Sequence, residues 1–326
     1  MNIDAHSHFV TEECLDVLSE GKDGRNVVRE SSGPESGRWN VQLLERIKDK
    51  LSDVPTRLRD MDKAGVDVQV LSPSPVTLYY WTDIETGITL SRLQNESISE
   101  ICRQYPSRFI GIGTVPLQDV DEALKELERL SKELNLRGVI ISSNVNGKDL
   151  DDAAFFPFFE KAERLNLLIF VHPHNTAAAE RMQRFYLTNL IGNPLDTTIA
   201  ASRLIFSGLL EKLPDLKICF AHGGGHLPYI MGRIQHGYMV RPECKAEIGR
   251  SPWEYFGRLY FDTITHHLPA LEYLVTTARS DHVLMGTDYP YDMGDEDPVG
   301  FVRSLSIPEA DKEKILGGNL RRLLGM

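Results

Sequence analysis

Two histidines stand one residue apart near the start of the chain, His6 and His8 in "NIDAHSHF". In an extended strand alternate side chains share a face, so the two imidazoles point the same way and can chelate. Three further residues of the right chemistry close apolar runs: His172 in "LLIFVHP", His222 in "LKICFAHGGG" and Asp288 in "HVLMGTDYP". Three imidazoles and a carboxylate suit Zn²⁺ or another divalent transition ion, with a water completing the sphere and one residue left to move protons. Any one of these taken alone is as well explained as a core histidine bonded to backbone. Their joint occurrence at the ends of apolar runs carries the metal reading. His174 in "HPHN" and His226 in "AHGGGH" offer the same chemistry, but the run-end positions favour His172 and His222.

The elements that would position these groups can be read from periodicity. Short β-branched runs recur at Val66 to Pro73, Phe109 to Leu117, Gly138 to Val145, Leu167 to Pro173, Leu216 to Gly225, Leu259 to Ile264 and His282 to Pro290. With the first strand, that makes eight. Between them lie segments of helical periodicity, clearest in "DVDEALKELERLSKEL", where Val120, Ala123, Leu124, Leu127, Leu130 and Leu134 form one stripe. Near-continuous apolar strands alternating with amphipathic helices indicate a parallel sheet covered on both faces, hence an α/β fold. Eight such units predict a (β/α)8 TIM barrel, with a doubly wound open sheet as its competitor. Residues 1–326 are expected to form a single domain, in which residues 10–53 are an insertion after strand 1 that packs near the active-site mouth. Its polar stretch around "SSGPESG" reads as a long loop with short helices.

Acidic residues outnumber basic ones 47 to 36, for a net charge of −11, which disfavours a nucleic-acid partner. No run of 18 apolar residues predicts a membrane span, and no basic segment followed by an apolar stretch opens the chain. Cys14, Cys102, Cys219 and Cys244 form no CxxC pair. They are expected to be reduced thiols in a cytoplasmic protein. "GGG" at Gly223 to Gly225 has neither phosphate-loop spacing, and its glycines are expected to let the backbone approach the metal.

HxH at strand 1, "FVHP" at strand 5, "FAHGGG" at strand 6 and "GTDYP" at strand 8 resemble the amidohydrolase superfamily. "DMDKAGVDVQVLS", "YYW", "GVIISSNVNG", "GRIQHGY" and "GGNLRRLLG" are similar to its branch of metal-dependent decarboxylases that includes 2-amino-3-carboxymuconate-6-semialdehyde decarboxylase. The resemblance implies that His6, His8, His172 and Asp288 are metal ligands and that His222 and Asp288 are catalytic, His222 as an acid/base residue off the metal. It implies one divalent ion per chain, Zn²⁺ with Mn²⁺ as the alternative. Where binuclear members carry a bridging lysine at the end of strand 4, this chain has Ser142, Ser143 and Asn144, so a mononuclear site is expected. Arg233 in "GRIQHGY" matches an arginine that reaches across a dimer interface to the substrate carboxylate, which implies a homodimer; Arg241 is a weaker candidate.

The activity implied is non-oxidative decarboxylation of a small unsaturated or aromatic carboxylic acid. The same ligands serve a lactone or amide hydrolase, or a hydratase, in which water is consumed and no carbon dioxide leaves. A barrel kept only as a binding protein is the third reading. Departures from the family lie in the pocket wall: Tyr291, a substrate-binding candidate, stands for a phenylalanine, and His174, Tyr186 and Asn189 occupy the offsets of family tryptophans. A second substrate-holding arginine has no ungapped counterpart, leaving Arg25, Arg29, Arg38 and Arg46. Asp262 and His266 in "FDTITHH" are candidates to orient a ligand or His222 from behind.

Overall fold

The computed structural model describes residues 1–14 and 34–326. Eight parallel strands are present where the apolar runs predict them: β1 (Ile3–Phe9), β2 (Val68–Pro73), β3 (Phe109–Gly111), β4 (Gly138–Ser142), β5 (Leu168–His172), β6 (Lys217–Phe220), β7 (Tyr260–Asp262) and β8 (Val283–Leu284). Several are shorter than their apolar runs, and beyond β3 and β8 the chain keeps to its neighbours through single bridges, Gly113 with Val139 and Tyr289 with Ser7. The strands form a three-stranded sheet in the order β1-β2-β3 and a five-stranded sheet in the order β8-β7-β6-β5-β4. Backbone hydrogen bonds join the two sheets at both junctions. Gly113 N–H donates to Gly138 O over 3.0 Å on one side; Ala5 N–H to Met285 O and Asp288 N–H to His6 O, each 2.8 Å, tie β1 to the end of β8 on the other.

The principal helices are α1 (Pro34–Ser52), α2 (Val54–Ala64), α3 (Ile84–Gln104), α4 (Val120–Lys132), α5 (Phe156–Arg164), α6 (Asn193–Phe206), α7 (Leu227–Val240) and α8 (Leu268–Ala278). The predicted stripe lies on α4, whose Ala123, Leu127 and Leu130 are buried, and the Asp119 side chain caps it by accepting from Glu122 N–H. Strand residues such as Ile140, Ile141, Ile169 and Val171 are fully inaccessible, as a sheet covered on both faces requires.

The insertion differs from the expected loop with short helices: its described part includes a helix of 19 residues, α1. Charge hides it in the sequence, yet Leu43, Ile47 and Leu51 recur every four residues and all three are buried. They join Val10, Cys14, Tyr79 and Leu90 in a small core of their own, separate from the main one. The turn into α2 brings in Arg57, a fully buried arginine whose pKa burial pulls down to about 10, so that it stays cationic at neutral pH. Among the described residues no helix is long and apolar enough to cross a membrane.

Candidate metal centre

β1 delivers His6 and His8 to one point, as its alternation predicts. Their Nε2 atoms lie 3.0 Å apart, and His8 Nε2 lies 3.0 Å from Asp288 Oδ1. His6 Nε2 stands 3.4 Å from the same oxygen. The pairing of β1 with β2 shifts register between Asp4 and Ser7, an irregularity of the kind that re-aims side chains beside functional sites. His172, the last residue of β5, has its ring centroid 5.1 Å from those of both His6 and His8. His222 follows β6, and its Nε2 lies 3.5 Å from Asp288 Oδ2. One ligand atom each from His6, His172, His222 and Asp288 can be chosen within 4.8 Å of one another.

Two of these side chains are held by unusual backbone. His222 and Asp288 have φ of 55° and 57°, the left-handed region that non-glycine residues adopt at a cost of about 1–3 kcal/mol each. The glycines after His222 serve a different purpose from the expected approach to the metal. A Cβ on Gly224 would lie 2.5 Å from the Phe261 ring, and one on Gly225 would lie 2.1 Å from Pro194 O. They let the β6 turn close against β7 and α6.

Hydrogen bonds around the cluster set which nitrogen carries the proton. His6 Nδ1 donates to Asp262 Oδ2 over 2.7 Å, leaving Nε2 as a lone pair that faces the cluster. Asp262 also accepts from the backbone N–H of His222 (2.9 Å) and Gly223 (2.7 Å), so one buried carboxylate orients two of the histidines. His172 Nδ1 donates to Pro173 O over 3.0 Å, and its buried Nε2 has no partner.

Electrostatics point the same way. Burial pushes the His8 pKa down to about 4 and, together with the neighbouring histidines, drives that of His172 well below the usual range; both are neutral donors. Burial opposes ionisation of Asp288, but His6, His222 and His8 outweigh it and hold the carboxyl well below its ordinary value. Burial likewise opposes charge on His6, yet Asp288 and Asp262 raise its pKa. Lone pairs converging within hydrogen-bond distance, an orphaned buried nitrogen and an ionised carboxylate together form a site that attracts a cation. Nitrogen and oxygen donors of this kind fit Zn²⁺ or Mn²⁺.

The cluster opens into a cavity of about 340 Å³ lined by His172, His222, Asp288 and Tyr291, with Tyr186 and Gln183 in its wall. From α1, Asn40, Leu43 and Leu44 also line it. A second cavity of about 640 Å³ reaches His222 and Asp288 from the side of α7 and α8. The sequence model of the amidohydrolase family, described as "Amidohydrolase", matches residues 3–326.

The chain belongs to the amidohydrolase family. It is 39% identical over 287 residues to the 2-amino-3-carboxymuconate-6-semialdehyde decarboxylase of Dictyostelium discoideum, covering 87% of this chain and 80% of that protein. The crystal structure of 5-carboxyvanillate decarboxylase from Sphingomonas paucimobilis superimposes with a TM-score of 0.88 at 29% identity, over 100% of this chain and 99% of that one. A dihydroxybenzoic acid decarboxylase from Polaromonas sp., solved with bound manganese and the inhibitor 2-nitroresorcinol, has a TM-score of 0.84 at 27% identity, over 99% and 96% of the two chains.

Within this amidohydrolase, Tyr291 sits beside the cluster, its ring 5.5 Å from that of His8 and its hydroxyl 2.5 Å from Ser74 Oγ. Tyr186, Asn189 and His174 line the first cavity. His226 and His266 line the second. Arg233 is exposed on α7 and lines neither cavity. Arg241 is exposed and paired with Glu243. Arg38 and Arg46 are exposed on α1, while Arg25 and Arg29 lie outside the described residues. Ser143 and Asn144 bond to Asp196, a buried carboxylate on α6 that also accepts from Ala177 N–H over 3.0 Å. Asp196 has no motif to announce it in the sequence, and neither do Asn40 and Gln183.

Proposed function

We infer that this chain is a metal-dependent, non-oxidative decarboxylase, a carboxy-lyase acting on a small aromatic or unsaturated carboxylic acid. The observation that carries the reading is the convergence of His6, His8 and His172 on Asp288, with His222 beside them, at a cavity of about 340 Å³ that His172, His222 and Asp288 line, within the usual range for small-ligand pockets. The two sheets are arcs of one (β/α)8 barrel spanning residues 1–326, a reading supported by the hydrogen bonds at both junctions. The insertion of residues 10–53 packs at its mouth, consistent with Asn40, Leu43 and Leu44 in the cavity wall.

His6, His8, His172 and Asp288 hold one divalent ion, Zn²⁺ or, as in the Polaromonas relative, Mn²⁺. Bound there, the ion supplies Lewis-acid polarisation of a substrate oxygen. Tyr291, steadied by Ser74, flanks the substrate. As the carbon–carbon bond to the carboxylate breaks, its electron pair stays on the substrate carbon and carbon dioxide leaves. His222, its Nε2 3.5 Å from Asp288 Oδ2, gives that carbon a proton and takes a replacement from solvent reaching the cavity. Asp262 holds the imidazole in line by gripping the His222 backbone. Arg233, exposed in its own subunit, reaches a neighbouring site in a homodimer and holds a substrate carboxylate. Four free cysteines accord with a cytoplasmic location.

The test is to incubate the metal-loaded protein with 2-amino-3-carboxymuconate-6-semialdehyde, hydroxybenzoates and carboxyvanillate, following carbon dioxide and product together. Release matched by loss of one carboxylate supports the reading. Ring opening or hydration with no carbon dioxide replaces it with hydrolase or hydratase chemistry.

A further inference from the structure

Among the described residues Arg57 is the largest of the buried side chains that water scarcely reaches, and no carboxylate lies within ion-pair distance of it. Burying an unpaired cation is costly unless its hydrogen bonds are satisfied. The guanidinium spends its donors on backbone and neutral groups. Nη2 donates to the carbonyl of His8 and to Lys50 O over 3.1 Å, with Leu51 O at 3.5 Å. Nη1 donates to Gln69 Oε1 over 2.8 Å, with Ser7 Oγ at 3.5 Å. One face of the plane lies 4.7 Å from the centre of the Tyr289 ring.

Each contact leads to a different part of the site. His8 belongs to the cluster. Tyr289 follows Asp288, and its carbonyl accepts from His8 N–H over 2.8 Å. Lys50 and Leu51 offer carbonyls in the last turn of α1, which the helix itself leaves unsatisfied. The same helix supplies Asn40, Leu43 and Leu44 to the cavity wall. Through Gln69 the network continues to Asp4, which accepts from Gln69 Nε2 (2.8 Å), His6 N–H (2.9 Å) and Thr287 N–H (3.0 Å).

We propose that Arg57 is a positioning residue that locks the insertion helix onto the metal centre, fixing at once the strand carrying His6 and His8, the turn carrying Asp288 and one wall of the substrate cavity. This rests on the reading of His8 and Asp288 as metal ligands. The planar fork is essential to it: a lysine has one nitrogen and no flat face, so it cannot span His8, Gln69 and α1 while stacking on Tyr289.

The test compares wild type, Arg57→Lys and Arg57→Met for Mn²⁺ affinity, kcat and KM at saturating Mn²⁺, and thermal unfolding. The expected result is a Mn²⁺ dissociation constant raised roughly 10–100-fold in Arg57→Met, as for lost outer partners of ligands. KM should rise in both variants as α1 loosens, with Arg57→Lys recovering only part of the affinity. Lower melting temperatures with Mn²⁺ affinity, kcat and KM unchanged would overturn the proposal by reducing Arg57 to a structural residue. If Arg57→Met does not fold, Tyr289→Leu removes the stacking face along with the hydroxyl that donates to Asp60 over 2.9 Å, and Tyr289→Phe removes that hydroxyl alone. Weaker Mn²⁺ binding in Tyr289→Leu than in Tyr289→Phe supports the proposal, and equal binding overturns it. Wild-type protein that binds no Mn²⁺ would overturn the metal-site reading and this proposal with it.

Discussion

At the scale of single residues, the site is a set of imidazoles gathered round an ionised carboxylate, two of them held from behind, His6 by Asp262 and His172 by the carbonyl of Pro173. Asp262 is the most connected of these partners, bonded to the His6 ring and to the backbone of His222 and Gly223. Asp262→Asn is expected to weaken metal binding by roughly 10–100-fold, measured by titrating the stripped protein, because an amide cannot accept from all three. Protons compete with the metal for His6, whose pKa is raised by Asp288 and Asp262 against the pull of burial. The apparent metal affinity should therefore fall as the pH drops through the His6 titration and hold steady above it, as calorimetry at several pH values would show. A flat profile would mean that metal binding displaces no proton from His6. His6, His8, His172, His222 and Asp288 are legible in the sequence because ligand chemistry recurs at the ends of apolar runs. Arg57, Asp4 and Asp196 are not, since a buried polar group reveals itself only through partners far away in the chain.

At the scale of elements, strand periodicity carries most of the fold, and the insertion shows its limit. Seven strands follow from β-branched runs bounded by turn residues, and the HxH strand is marked by its alternation. α1 is obscured because its buried apolar positions, Leu43, Ile47 and Leu51, stand amid charges that read as loop. Its packing is nevertheless testable. Leu51 is fully buried, so Leu51→Ala should cost about 2–5 kcal/mol in chemical unfolding. It should also raise KM, since the same helix lines the cavity. As a control remote from the cavity, Asp119→Ala removes the cap of α4 and should cost about 1 kcal/mol while leaving KM unchanged.

At the scale of the whole molecule, the strands arrange their C-terminal ends around one site, and two cavities meet at His222 and Asp288. The second cavity runs past the N-terminal turn of α7, where Tyr229 is 81% exposed, and the same helix carries Arg233. If Arg233 serves the neighbouring subunit, mixing Arg233→Ala chains with His222→Ala chains should restore activity that neither has alone, because each heterodimer keeps one complete site. No recovery on mixing, with exchange of subunits verified, would confine Arg233 to its own chain. The measurement that bears most directly on the central claim is carbon dioxide release as metal is titrated back into stripped protein. The account predicts no turnover without metal and a rise that saturates at about one ion per chain, as a mononuclear site requires. Full turnover by stripped protein, or saturation only at two ions per chain, would contradict it.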